Sequence, residues 1–340
     1  MDRRSFLKVV GGTAAVGVLA GRVEELVAAL EGKKGREVKP FPRRLLGKTG
    51  EEVTIIGFGG LALATEEQPV INGSISMTID RGVNYFDVSP EYGDSEVKMG
   101  IGLKGRRDKV FLSCKTGKRD KKGAKFELER SLKRLRTDHF DLYQLHHLRR
   151  AEEVEEALGP NGAMEVFVEA KKKGQVRFLG FSAHTTKAAL LAMEKFPFDT
   201  VMFPVNFMEF LKTGFGPAVV AKAAEKGMGV IAIKAMYQGM WPEGAKRPAQ
   251  KWWYQPVMDA VEVDLALRFT LSQPNVATAI TPSDLEMIRA AIEIAPNYRP
   301  LSDGEREKLR ELSRGLISHF EREEKSVAFR KEWGEEMVVV

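Results

Sequence analysis

Cys114 is the only cysteine in 340 residues, so no internal disulfide can form, and no Cys-x-x-Cys pair exists to hold zinc or an iron–sulfur cluster. Metal chemistry is not expected. The apolar run from Val9 to Ala20 falls short of the ~20 residues that span a bilayer and is broken by glycines. Charge of one sign is also scarce. The formal net charge of +6 halves to +3 once residues 1–39, with eight basic and five acidic side chains, are set aside. That is too little to argue for a nucleic-acid partner. The basic run from Lys115 to Lys125 reads mainly as a solvated loop and helix face. What remains is a chain 43% hydrophobic, long enough to bury one large core without a metal or disulfide.

From Arg43 onward, short apolar strands alternate with amphipathic helices. Residues Arg44 to Val53 have the apolar ends and glycine-containing middle of a hairpin, read as a lid over the bottom of the domain. Strands are predicted to end near Gly59, Asp87, Lys115, His146, Ser182, Asn206, Lys234 and Ile280. Between Lys122 and Arg136, Phe126, Leu128, Leu132 and Leu135 form an apolar stripe among Lys, Glu and Arg, which predicts a helix. Eight β-α units over ~240 residues fit a (β/α)₈ TIM barrel, whereas a doubly wound open sheet usually has fewer strands. The interval from Lys234 to Ile280 carries Trp241, Trp252, Trp253 and Tyr254, suited to walling a pocket or to packing on itself. One motif points elsewhere. Gly57-Phe58-Gly59-Gly60-Leu61-Ala62 satisfies Gly-x-Gly-x-x-Ala, with Asp87 closing the next strand, as in a Rossmann-type dehydrogenase. Against it, Glu66 to Pro69 intervene before a helical stretch predicted from Ser74 to Arg81, so no helix N-terminus would meet a phosphate there.

Asp87, Tyr92, Lys115 and His146 lie at or just beyond three successive strand ends, where such barrels gather reacting side chains. Hydride delivery to a carbonyl creates an alkoxide, which needs a proton donor and a second polar group at the oxygen. Tyr92 can be the donor, Lys115 the cation that draws its pKa down, Asp87 the partner of that buried ammonium, and His146 a donor to the carbonyl oxygen. Each has a plainer reading as a loop aromatic, an ion pair or a core histidine; jointly the four favour the chemistry.

These segments resemble the aldo-keto reductase family. Asn84 to Glu96, with Asp87 and Tyr92 five residues apart and Tyr-Gly-Asp-Ser-Glu following, is similar to the family's first signature, and Ser95 is expected to cap the helix that follows. Leu112 to Gly117 resembles the segment carrying the lysine, and Asp138 to His146 the segment carrying the histidine, where register selects His146 over His147. The resemblance implies an aldo-keto reductase barrel with an N-terminal β-hairpin over 43–325, a catalytic tetrad of Asp87, Tyr92, Lys115 and His146, and NADP(H) bound without a Rossmann unit, NAD(H) being the alternative. It also implies cofactor contacts from Gly59, Gly60, Asp87, Ser182, Asn206, Ile233, Lys234, Met236 and Arg289. Here the chain departs from its relatives. Ala183 replaces an asparagine, Met202 or Phe207 a glutamine, Ile233 the tyrosine that stacks on nicotinamide, and Lys234 a serine near the diphosphate. The implied activity is reversible reduction of an aldehyde or ketone, with a small carbonyl compound or sugar as substrate. A nicotinamide-binding barrel with a regulatory role and little turnover is the second reading.

Residues 1–30 resemble a twin-arginine export signal. Arg3-Arg4-Ser5-Phe6-Leu7-Lys8 precedes the apolar run, and small residues at Val27-Ala28-Ala29 suit a signal peptidase. The resemblance implies passage of the folded protein through the twin-arginine machinery to the periplasm or cell envelope, with an uncut anchor as the alternative. Residues 31–42 then read as a linker and 326–340 as a C-terminal tail.

Overall fold

The computed structural model describes residues 40–245, 253–257, 259–280 and 283–328. The segment 1–30 read as an export signal, nearly all of the segment 31–42 read as a linker, most of the expected tail 326–340 and Trp252 lie outside them.

Strands β1 (Arg43–Leu45) and β2 (Glu52–Thr54) form an antiparallel hairpin. Its turn fits under the start of β9, where Lys48 N donates to the Gly227 carbonyl at 2.8 Å. It covers the bottom of a closed parallel barrel, as the glycine-centred pattern suggested. The barrel strands are β3 (Ile56–Gly59), β4 (Tyr85–Asp87), β5 (Phe111–Thr116), β6 (Phe140–Leu148), β7 (Val176–Ala183), β8 (Thr200–Pro204), β9 (Gly229–Ile233) and, beyond the short pair β10 (Tyr237–Gly239) and β11 (Gln255–Pro256), β12 (Val276–Ile280). β12 pairs with both β9 and β3, so the sheet has no open edge and the Rossmann alternative falls.

The helices that cover the barrel are α1 (Gln68–Asp80), α2 (Ser95–Gly102), α3 (Lys121–Leu135), α4 (Ala151–Leu158), α5 (Ala163–Lys172), α6 (Thr186–Lys195), α7 (Pro217–Glu225), α8 (Ala260–Leu271), α9 (Leu285–Ile294), α10 (Asp303–Ser313) and α11 (Phe320–Ala328). No helix among the described residues is long and apolar enough to cross a membrane. Helix α3 matches the predicted stripe within one residue at each end; Asp120 caps it by accepting from Gly123 N at 2.8 Å. Helix α1 starts at Gln68, six residues before the expected Ser74. Pro69 sits in its first turn, where a missing N–H costs no intrahelical bond. Ser95 is not the cap of α2: Asp94 holds that position, and the Ser95 hydroxyl is buried without a partner. The aromatic interval before β12 is not one loop, because α8 fills its second half.

Strand alternation sorts the side chains. Tyr85, Phe111, Leu142, Met202, Ile231 and Ile280 fill the barrel interior, while Phe86, Leu112, Tyr143 and Phe181 pack outward under the helices. The same period of two carries Asp87, Lys115 and His146 to the inside at the C-terminal end, above the apolar layers.

Candidate active site

β4 ends on Asp87 and β5 lies beside it, with Asp87 aligned to Ser113 and Lys115 one inward position further on. Lys115 Nζ contacts the Asp87 carboxylate and donates to the Val88 carbonyl at 3.2 Å. Both side chains are out of water, Lys115 completely. Burial disfavours the ammonium, but Asp87, together with Tyr92 and Cys114, outweighs it and holds the pKa above the usual lysine range, so Lys115 stays charged. Its Nζ lies 5.2 Å from the centroid of the Tyr92 ring.

Tyr92 comes from the turn after β4, where its N–H donates to the Ser89 carbonyl at 3.1 Å. Burial raises the phenol above its ordinary range, and the charge and hydrogen bonding of Lys115 only partly oppose this. Lys115 acts in the expected direction, but desolvation is the larger effect, so the net shift is upward and Tyr92 is a protonated phenol near neutrality. Its hydroxyl is 3.5 Å from His146 Nε2. Burial pushes His146 down to about 3, so this imidazole is neutral. On the other side of the ring, Nδ1 contacts the Glu91 carboxylate and lies 3.2 Å from Ser89 Oγ.

The four groups surround the mouth of a cavity of about 410 Å³, within the range of small-ligand sites. Asp87, Tyr92 and His146 line it, and Lys115 stands behind them. Of the expected cofactor contacts, Gly59, Gly60, Asp87, Ser182, Ile233 and Lys234 line this cavity. Asn206, Met236 and Arg289 do not. Asn206 is buried and accepts from Glu209 N at 2.9 Å, Met236 is in the core, and Arg289 is 3.7 Å from Glu286 on α9. Met202 stands in the wall, at one of the two positions where relatives place a glutamine. Gly60 meets a packing need: a Cβ there would be 2.7 Å from the Asp87 carbonyl.

Four of the chain's five histidines line the cavity, His147, His184 and His319 joining His146, so single-residue motif reading captured only a quarter of its imidazoles. Arg149, Trp253 and Tyr254 complete much of the rim. Only Trp253 and Tyr254 carried a sequence signal.

Whether a nicotinamide dinucleotide fits is decided by unmet polar groups. No carboxylate among the described residues pairs with Lys234. Its Nζ sits over Trp253 and Tyr254, 5.1 and 5.4 Å from the ring centroids, and burial lowers its pKa to about 8. Such an ammonium suits a diphosphate. Ser182 Oγ accepts from His147 N at 2.6 Å, leaving its O–H to donate into the cavity, as a carboxamide oxygen would require. Ile233 offers an aliphatic face for a flat ring.

The Aldo/keto reductase family profile matches residues 56–299, which contain every group described above except His319. The chain belongs to the aldo/keto reductase family. It is 26% identical over 294 residues to the uncharacterized oxidoreductase YqkF of Bacillus subtilis (strain 168), covering 77% of this chain and 94% of that protein. It is also 27% identical over 217 residues to L-galactose dehydrogenase of Arabidopsis thaliana, covering 59% and 67% of the two chains. Among solved structures, the holo form of aldo-keto reductase AKR11C1 from Bacillus halodurans superposes with a TM-score of 0.65 at 23% identity, over 83% of this chain and 99% of that one. At that identity the likeness establishes the fold alone.

Proposed function

We propose that this oxidoreductase reversibly reduces an aldehyde or ketone with NADP(H), or with NAD(H), using Tyr92 as the proton donor. The observation that carries the reading is the meeting, at the C-terminal mouth of one barrel, of a protonated, half-buried phenol, a buried ammonium–carboxylate pair and a neutral imidazole, beside a cavity whose Lys234 has no carboxylate partner among the described residues. When bound, the nicotinamide supplies or accepts the hydride. Lys234 would hold its diphosphate, Ser182 its carboxamide, and Ile233 would cover its ring. Asp87 keeps Lys115 charged and in place, and that charge beside the Tyr92 ring stabilises the phenolate left after proton transfer to the alkoxide. His146 orients the phenol hydroxyl from the other side.

Trp253 and Tyr254 give the cavity an aromatic wall, which suits a sugar or an aromatic carbonyl. A relative named aldo-keto reductase yakc [NADP(+)], from Schizosaccharomyces pombe (strain 972 / ATCC 24843), supports NADP as the first cofactor to test. The Arg3-Arg4-Ser5-Phe6-Leu7-Lys8 motif further supports export of the folded enzyme by the twin-arginine machinery to the periplasm or cell envelope. N-terminal sequencing of the fractionated protein tests this; a cytosolic chain retaining Met1 would refute it.

The catalytic reading is tested by steady-state NADPH oxidation with a panel of small aldehydes. Tyr92→Phe is expected to abolish turnover while NADPH binding, followed by nucleotide fluorescence, stays within about twofold. A variant with wild-type rates removes Tyr92 from the mechanism. The regulatory-barrel alternative is favoured by Ile233 and Met202 in the wall, and cofactor binding without turnover on any carbonyl would select it.

A further inference from the structure

Glu91, in the turn after β4, meets two histidines that are consecutive near the end of β6. In a regular strand such neighbours point to opposite faces. Here the register of β6 against β7 shifts between Leu145 and Leu148, and His147 takes a left-handed φ of 44°. The His147 N–H donates to Ser182 Oγ at 2.6 Å, which pins the turned backbone to β7. Both imidazoles thereby face one carboxylate. Glu91 contacts His146 Nδ1, and its oxygens are 3.1 and 3.4 Å from His147 Nε2.

The carboxylate is held from its own side as well. Ser89 Oγ accepts from Glu91 N at 3.3 Å and lies 3.2 Å from His146 Nδ1. Against the carboxylate stands Gly117, where a Cβ would be 2.6 Å from Glu91 Oε1, so any side chain there would push the group off the histidines.

Two imidazole nitrogens and a carboxylate oxygen are a donor set for a divalent first-row metal such as zinc. Their ligand atoms all lie within 4.8 Å of one another, the one such set among the described residues. A tetrahedral ion with bonds of about 2.0–2.1 Å spaces its ligand atoms about 3.3 Å apart. The His147–Glu91 separations already fit that spacing. The His146–Glu91 contact is closer, that of a hydrogen bond, and the proton holding it is what an incoming cation replaces. The Glu91 side chain, 41% exposed, has solvent to withdraw into as it does so. Spacing rules built on Cys-x-x-Cys do not find this set, because its members come from two strand ends 55 residues apart.

We infer that Glu91, His146 and His147 form a divalent-metal site at the cavity mouth, through which zinc regulates the reaction. Three protein ligands leave the fourth position of a tetrahedron to water. The regulatory half rests on the reductase reading: His146 Nε2 faces the Tyr92 hydroxyl at 3.5 Å, and an ion on Nδ1 ties that same ring to Glu91 and His147. Occupancy therefore slows turnover, and removal of the ion restores it.

The test uses the full chain, stripped of metal by chelation, with Zn²⁺ as the probe. Calorimetry is expected to show one equivalent bound, and Co²⁺ in its place to give the intense visible bands of a four- or five-coordinate ion. Mg²⁺, which prefers oxygen ligands, is not expected to displace either. His147→Gln and Glu91→Gln are each expected to weaken zinc binding about 100-fold, and Gly117→Ala, which removes no ligand, about tenfold. In NADPH oxidation zinc is expected to inhibit the wild type and EDTA to reverse the inhibition, while His147→Gln keeps the zinc-free rate and escapes it. A wild type that binds no stoichiometric zinc, or a His147→Gln chain that binds it as tightly, overturns the site; one equivalent bound with no loss of rate overturns its regulatory role. The binding measurements need no turnover, so a chain inert towards every carbonyl still reports the site.

Discussion

Asp87→Ala is the most informative single perturbation of stability. Lys115 has no exposed surface, the Asp87 side chain is 4% exposed, and among the described residues the only other acceptor for Nζ is the Val88 carbonyl. Removing Asp87 therefore leaves a buried ammonium with one neutral hydrogen bond, a situation that costs about 3–5 kcal/mol in comparable pairs. For a domain of this size that corresponds to a fall in Tm of roughly 6–12 °C. Replacing both partners, Asp87→Ala with Lys115→Met, removes the charge as well as its counter-ion and is expected to recover most of the loss. The assay is urea unfolding of the four chains of the cycle, followed by tryptophan fluorescence. pH supplies an independent check. Because the folded-state pKa of Lys115 is raised above 10.5, its contribution to stability is complete below that value and is lost as pH climbs through the folded pKa. The wild type should thus lose stability in alkali more steeply than Lys115→Met. An Asp87→Ala chain within about 1 kcal/mol of wild type, or a double variant weaker than either single one, would refute the buried-charge argument.

Three other measurements probe the site and its support. Lys234→Met is expected to weaken NADPH binding about tenfold, the scale of one charge-assisted contact, and to flatten its pH dependence. In the wild type affinity should fall as pH rises through about 8, where Lys234 loses its proton; Lys115, the charge that helps lower that pKa, remains protonated. Identical titrations for the two proteins would remove Lys234 from the cofactor site. Gly100→Ala would place a Cβ 2.5 Å from the Arg134 carbonyl, where α2 crosses α3, and should cost about 1–3 kcal/mol in urea unfolding; a neutral substitution would mean the two helices separate easily. Tyr92→Phe should leave the unfolding midpoint within about 1 kcal/mol of wild type, so that its lost turnover reads as chemistry and not as unfolding.

How much was legible in the sequence varied with the range of the interaction. Strand ends were predicted within two residues because the buried strands are short apolar runs, several of them closed by a polar residue such as Asp87 or Lys115, a local pattern. Helix α3 announced itself by its stripe and cap. Helix α1 did not, because Pro69 reads as a breaker unless its place in the first turn is known. Glu91, His147, His184 and His319 had no signal, since nothing nearby in the chain distinguishes a pocket-facing polar residue from a solvated one.

The sequence alone determined the number and order of the β-α units, the inward alternation that puts Asp87, Lys115 and His146 on one face, and the family to which these motifs belong. Those properties depend on periodicity and on neighbours a few residues apart. Only the tertiary structure decided that β12 closes on β3, that desolvation outweighs Lys115 in setting the Tyr92 proton, and that a shift in β6 turns two histidines onto one carboxylate. Electrostatic energies depend on distance and on exclusion of water, and neither exists until the barrel is shut.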